Sequence, residues 1–166
     1  MTSDRRQFDQ LVAAHAASVT AYARAVASDG WTAEDAVQET FLRAWKYLDS
    51  FRGHGSFEGW LIRICRNCII DLARAHPTDP QDRMPERVEH PDHSSDVHDL
   101  IERLPLEQRE VVALCGVLGY DYAAAAALLE VPVGTIRSRL HRARAALERD
   151  LYPSDDIDAD WREASA

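Results

Sequence analysis

The stretch "VPVGTIRSRLHRARAAL", from Val131 to Leu147, places four arginines and a histidine in a chain whose formal net charge is −9. Arginine makes and breaks no covalent bonds here; its chemistry is recognition, because the planar N–H fork matches phosphate oxygens and the guanine edge two bonds at a time. Ile136, Leu140, Ala143 and Leu147 recur at helical spacing. Turning that stripe inward leaves Thr135, Arg137, Ser138, His141 and Arg142 facing a DNA groove or its phosphates. Arg137 and Ser138 lie nearest the helix start, where base edges are met, whereas Arg139, Arg144 and Arg149 suit backbone contact or solvent. A solvated face is the commoner meaning of an arginine run. Glu148, just past the end of the run, is however the one carboxylate at hand for intrahelical pairing with it.

The residues upstream supply the partner such a helix needs. Pro105 restarts a helix, "LEQREVVALCGVLG", that Gly119 closes; Asp121 then caps a short alanine-rich helix, Tyr122 to Leu129, and "EVP" makes a tight turn. Two short helices with a basic second member form a helix-turn-helix. Small side chains at Ala125 and Ala126 allow close approach. Glu130 occupies the turn position that often carries glycine, which costs about 1 kcal/mol if the backbone there is left-handed; a helix end without a left-handed residue is the alternative.

Other chemistries find little support. Cys65 and Cys68 form a CxxC, but zinc needs four ligands, and Cys115 and His76 would have to be recruited across the chain. Three apart on a helix, the pair reads as core. The linker histidines His90, His93 and His98 read as solvated. No phosphate-binding glycine loop or nucleophile motif occurs, so no catalytic residue, metal or cofactor is expected. Three cysteines fit a reducing compartment, "YAAAAALL" is too short to span a bilayer, and the polar N-terminus lacks a secretory core, so a cytoplasmic protein without membrane insertion is expected. The acidic balance confines any nucleic-acid site to a local patch.

The N-terminal half reads as three helices. Phe8, Leu11, Val12, His15, Val19, Tyr22 and Val26 form one stripe ending near Asp29 and Gly30. Thr32 is expected to cap a second helix carrying Val37, Phe41, Ala44, Trp45 and Leu48. After a glycine-containing break, Trp60, Leu61, Ile64, Cys68 and Leu72 mark a third, running to about Ala75, with Trp60 expected in the core. Four prolines between His76 and His98 predict an extended linker, and a second helical unit is expected from about Asp96 with Leu100, Ile101 and Leu104 on its apolar side. The predicted fold is all-α: two helical domains joined by a flexible linker, the C-terminal one containing the helix-turn-helix. The boundaries fall at residues 1–75, 76–97 and 98–150, followed by an acidic, disordered tail at 151–166.

Two separated stretches resemble one family, the bacterial sigma factors of the extracytoplasmic-function group. "LPLEQREVVALCGVLGYDYAAAAALLEVPVGTIRSRLHRARAAL" resembles their region 4 domain, which reads the minus-thirty-five promoter element, and "AEDAVQETFLRAWKYLDSFRGHGSFEGWLIRICRNCIIDLAR" resembles region 2, which binds core RNA polymerase and opens the minus-ten element. The resemblance implies transcription initiation, often in a stress response, with core RNA polymerase, promoter DNA and an anti-sigma factor as partners. It assigns Thr135, Arg137, Ser138, Arg139, His141 and Arg142 to the upstream element. Arg52, Ser56, Phe57, Arg63, Arg66, Asn67 and Arg74 fall to the minus-ten strand, and Asp35, Gln38, Glu39, Phe41, Leu42, Arg43 and Trp45 to a polymerase coiled coil. One of Phe41 and Trp45 is expected to be core instead.

Two rival readings use the same residues: a conventional helix-turn-helix regulator binding an operator alone, and an interaction protein such as an anti-sigma partner. The "DAVQETFLRAW" helix separates them, since a repressor needs no polymerase-docking face.

Overall fold

The structure, a computed structural model, describes residues 2–53, 55–75 and 94–152, with the backbone alone for residues 2–4 and 94–96. All regular structure among them is helical: α1 (Thr2–Val26), α2 (Gly30–Lys46), α3 (Phe57–Ala75), α4 (Ser94–Glu102), α5 (Leu106–Val111), α6 (Tyr122–Leu129) and α7 (Val133–Leu151). A single 3-10 turn, Leu48–Ser50, follows α2, and a π-helical turn, Val112–Val117, extends α5.

The α1–α2 corner is set by Asp29 rather than Thr32. The Asp29 carboxylate accepts from the Thr32 N–H at 2.7 Å and from its hydroxyl at 2.8 Å, so α2 begins at Gly30 and Thr32 lies inside its first turn. A carboxylate satisfies an orphan N–H and also meets the positive end of the helix. Burial alone would raise the Asp29 carboxyl, but the bonds from Thr32, Ser28 and Trp31 together prevail and hold it below its ordinary pKa. Helix α1 correspondingly stops at Val26, three residues short of the expected end.

Val19, Tyr22 and Val26 of α1 pack with Ala33, Ala36 and Ala44 of α2 and Leu61, Ile62, Cys65, Cys68 and Ile69 of α3. The core face of α2 is lined by small residues, which lets the helix backbones approach closely. Trp60 is half-buried, its ring tilted against those of Phe51 and Phe57 at centroid distances of 5.4 Å. Both expected core cysteines are fully buried, and burial pushes the Cys65 thiol up to about 12.

In the C-terminal unit, α4 starts at Ser94, within the stretch expected to be linker, and α7 carries Leu151, assigned to the tail. His98 lies in α4, 3.1 Å from Glu102. The remaining linker residues, 76–93, and the tail from 153 lie outside the described residues. Asp121 caps α6 as expected, accepting from the Ala124 N–H at 2.7 Å, and Gly119 adopts φ +72°. Glu130 is left-handed, φ 57° and ψ 42°, so the alternative of a turn without such a residue does not hold. Its N–H closes α6 on the Ala126 carbonyl, a capping geometry that requires the left-handed residue.

The two units do not stand apart. Val111, Leu114, Leu128 and Ile136 belong to the same continuous buried cluster as Tyr22, Leu61 and Cys65.

Candidate nucleic-acid and polymerase interfaces

Helix α7 presents two faces. Ile136, Leu140 and Ala143 are buried against α5 and α6, whereas Arg137, Ser138, His141, Arg142 and Arg144 are exposed and Thr135 and Arg139 half-buried. Arg142 bends back onto Ser138, its Nε donating to the Ser138 carbonyl at 3.3 Å. Among the described residues no carboxylate pairs with Arg137, Arg139, Arg142 or Arg144, and Arg149 meets Asp150 at 3.3 Å. The face is therefore an array of fixed positive charges on a helix whose first turn is nearest the turn of the motif.

Helix α2 presents an acidic and apolar face. Asp35 and Gln38 are exposed, Leu42 is 66% exposed and Trp45 47% exposed. Phe41 is half-buried, so of the two aromatics Phe41 is the more interior, while Trp45 packs edge-on against Phe8 at 4.9 Å. Phe8, Phe41, Leu42 and Trp45 line a groove of about 600 Å³ with Arg5, Asp9 and Gln38. The Glu39 carboxylate accepts from Arg43 at 2.7 Å, and Arg43 also bonds Asp71 at 2.9 Å. That places a cation beside Glu39, one of the like-charged pair Asp35 and Glu39, and the Asp71 and Glu39 carboxylates raise the Arg43 pKa.

The third candidate face runs from the loop 51–56 along α3. Gly53 and Gly55 adopt φ of +72° and +84°, which turn the chain, and the Ser56 hydroxyl accepts from the Gly59 N–H at 3.0 Å to start α3. Arg52, Ser56, Arg63, Asn67 and Arg74 are exposed, while Phe57 is half-buried among Phe51, Trp60 and His15. Arg66 is half-buried and engaged: its Nε donates to Glu110 at 2.5 Å, and the Glu110 side chain is only 2% exposed. Arg63 donates to the Ala127 carbonyl at 2.8 Å.

Sequence reading missed the residues that join α3 to the C-terminal unit. Besides Glu110, the Tyr120 hydroxyl donates to Glu58 at 2.8 Å, and Ser18 donates to the other Glu58 oxygen at 2.9 Å. Burial alone would raise the Glu58 pKa, but the bonds from Tyr120, Ser18 and His15 prevail and lower it. Burial and that same bond push Tyr120 up to about 12. Arg109 reaches the Ala27 carbonyl at 3.3 Å, at the end of α1. One signal was available: Leu106, Glu110, Ala113 and Leu114 share one helical face, which puts a carboxylate on an apolar stripe.

Comparison with known proteins places this geometry in a class. The Sigma-70 region 2 family matches residues 11–77, and the Sigma-70, region 4 family matches residues 94–147, which together define a sigma-70 family transcription initiation factor. The chain is 40% identical over 138 residues to the ECF RNA polymerase sigma factor SigC of Mycobacterium tuberculosis, covering 77% of this chain and 75% of the relative. With SigE of Mycolicibacterium smegmatis the identity is 36% over 154 residues, 84% of this chain and 60% of that longer relative. Among solved structures, the sigma factor RpoE in complex with the anti-sigma factor NepR from Bartonella quintana superposes with a TM-score of 0.76 at 31% identity, covering 90% of this chain and 99% of RpoE. CnrH in complex with the cytosolic domain of CnrY gives 0.70 at 32%, covering 93% and 91%. The chain belongs to the extracytoplasmic-function sigma factors. It is a promoter-directing initiation factor for RNA polymerase. No helix among the described residues is long and apolar enough to cross a membrane.

Proposed function

We propose that the three faces divide the work of initiation. The exposed side of α2, with Asp35, Gln38, Glu39, Phe41, Leu42, Arg43 and Trp45, docks on the polymerase; carboxylates there meet basic groups while Leu42 and Trp45 provide apolar anchors. The loop 51–56 with Phe57 and α3 receives the minus-ten strand, Arg52, Arg63, Arg66, Asn67 and Arg74 tracking its backbone or base edges and Ser56 lying at the loop's exit. Helix α7 enters the major groove of the minus-thirty-five element. Arg137 and Ser138 read base edges, and Arg139, His141 and Arg142 with Thr135 contact the groove or phosphates.

The observation that carries this reading is the split of α7 into a buried Ile136–Leu140–Ala143 stripe and an exposed arginine face without carboxylate partners among the described residues. Residues 1–75 and 94–151 act as the two readers, with the segment between them spanning along the polymerase. Bond-making belongs to the polymerase, and the factor works in the cytoplasm as a non-enzymatic subunit. An anti-sigma factor is a fitting partner, since RpoE was solved bound to the anti-sigma factor NepR.

The test is binding to purified core RNA polymerase followed by transcription from a library of promoter fragments. Asp35→Lys and Glu39→Lys should weaken polymerase binding and leave promoter choice intact; Arg137→Ala and Ser138→Ala should relax upstream-element specificity and leave polymerase binding intact. The reverse pattern defeats the assignment. Specific duplex binding by the protein alone, with no polymerase association, would favour the conventional regulator.

A further inference from the structure

Arg43 stands on the polymerase-docking helix, yet its guanidinium is engaged within the chain. Its Nε donates to Glu39 Oε1 at 2.7 Å, one turn back on α2, and its Nη1 donates to Asp71 Oδ2 at 2.9 Å, on α3. One planar fork thus joins a carboxylate of each helix, a geometry that lysine, a single point charge, does not reproduce. Arg74 lies three residues beyond Asp71 on the same helix, but among the described residues Asp71 pairs with Arg43.

The consequence falls on Glu39. An exposed pair four residues apart on one helix favours its closed arrangement only about twofold. With that bond alone, Glu39 would swing among several rotamers. The bond to α3 removes the freedom, because a guanidinium held from its far side offers Nε to Glu39 in one direction. Glu39 keeps its Oε2 without a partner among the described residues, beside a hollow of about 340 Å³ lined by Glu39, Leu42, Arg43, Lys46 and Tyr47. Lys46, the second cation there, lies over the Tyr47 ring at 5.2 Å. A fixed carboxylate oxygen beside an open hollow is the acceptor that an arginine or lysine of a partner would use.

We propose that Asp71 is a positioning residue for polymerase docking: by holding Arg43 from α3, it fixes the Glu39 carboxylate in the orientation that meets a basic side chain of the polymerase. This rests on the assignment of Glu39 to the docking face. Asp71 shares the exposed ridge of α3 with Arg63, Asn67 and Arg74, so its place on the helix would put it among the strand-reading residues. A carboxylate there repels phosphates, and the cation that answers it comes from the docking helix. Its bond to Arg43 ties it to that helix instead. Ordering one long side chain before the partner arrives is worth about fivefold in affinity.

The test measures binding of the full chain to purified core RNA polymerase without DNA, so that no strand contact contributes. Asp71→Ala should weaken binding about fivefold, and Asp71→Glu, which keeps the acceptor, should restore most of it. Arg43→Lys, which keeps the charge and loses the fork, should match Asp71→Ala. The Asp71 side chain is 52% exposed, so the urea midpoint of Asp71→Ala should stay with the parent's and a lost affinity is not a lost fold. In a Glu39→Ala background Asp71→Ala should add nothing, because the group it positions is gone. An effect that persists undiminished in that background means Asp71 does not act through Glu39, and the proposal falls. Parent-like binding by Asp71→Ala, with Glu39→Ala weakened, overturns it while leaving the docking face in place. If Glu39→Ala itself binds as the parent does, Glu39 is not a docking residue, and the reading of α2 fails together with the proposal.

Discussion

Replacing Arg66 with methionine keeps most of the apolar stem and deletes the cation opposite Glu110. Glu110 is 2% exposed, so the variant leaves a carboxylate in the seam without its counter-ion. Removing one partner of a buried ion pair costs about 3–5 kcal/mol. Arg66 itself is 32% exposed, which lets water reach the edge of the pair and favours the low end, about 3 kcal/mol. A ceiling also applies: parting the units restores water to Glu110, so the penalty cannot exceed the free energy of docking. The converse variant, Glu110→Met, frees an arginine that can swing into solvent and should cost about 1 kcal/mol. The double variant replaces the pair by packed thioethers and should also lie within about 1 kcal/mol of the parent. The cycle therefore predicts a coupling of about 3 kcal/mol, measurable by urea unfolding with tryptophan fluorescence and far-UV dichroism as independent probes. A shift below about 0.5 kcal/mol for Arg66→Met, in a protein that stays compact by scattering, would refute the claim that this pair is buried.

Further expectations follow from other positions. Glu130→Gly relieves the left-handed backbone and should stabilise the protein by about 0.5–1 kcal/mol, read as a higher urea midpoint; an unchanged midpoint means the turn carries no strain. The Cys65 thiol is held neutral, its pKa raised from 9.0 to about 12, so its contribution is complete below pH 9 and lost as pH rises from 9 to 12. At about 1.4 kcal/mol per unit that is about 4 kcal/mol, and Cys65→Ala should visibly flatten alkaline unfolding; an unaltered profile excludes the thiol as its source. In the polymerase-bound form, Arg137→Ala should cost about 1–3 kcal/mol of discrimination at one base position. Arg144→Ala should instead weaken all promoters alike and lower the salt slope by about one, and identical effects would show that the two arginines are not divided between base and phosphate.

Wherever one residue carried a strong local signal, sequence and structure agree. Asp121, Gly119 and the Ile136–Leu140–Ala143 stripe each act as their chemistry predicts, because capping and periodicity are decided within a few residues. The α2 cap shows the limit of that logic: Thr32 and Asp29 both offer oxygens, and the carboxylate wins by accepting from the N–H and the hydroxyl together. For the candidate sites, type and face were legible on α7 and α2, since exposure follows from helical phase. The state of Arg63 and Arg66 was not, because their partners lie 64 and 44 residues away in sequence. Proline-rich separation between the halves suggested independence, whereas Tyr22, Leu61, Leu114 and Leu128 share one buried cluster. Periodicity reveals which side of a helix is apolar and is silent about which helix covers it.

The pairing of Arg66 with Glu110 also bears on how such a protein diversifies. A substitution at Arg66 would disturb the packing of one half of the chain on the other, and a repair would have to arise at position 110, in the other half. Residues 66 and 110 are therefore inherited as a pair. Exchanging region 2 or region 4 between related factors should break this pairing even when each half folds well, and chimaeras that keep both members of the pair should be more stable than those that mix them.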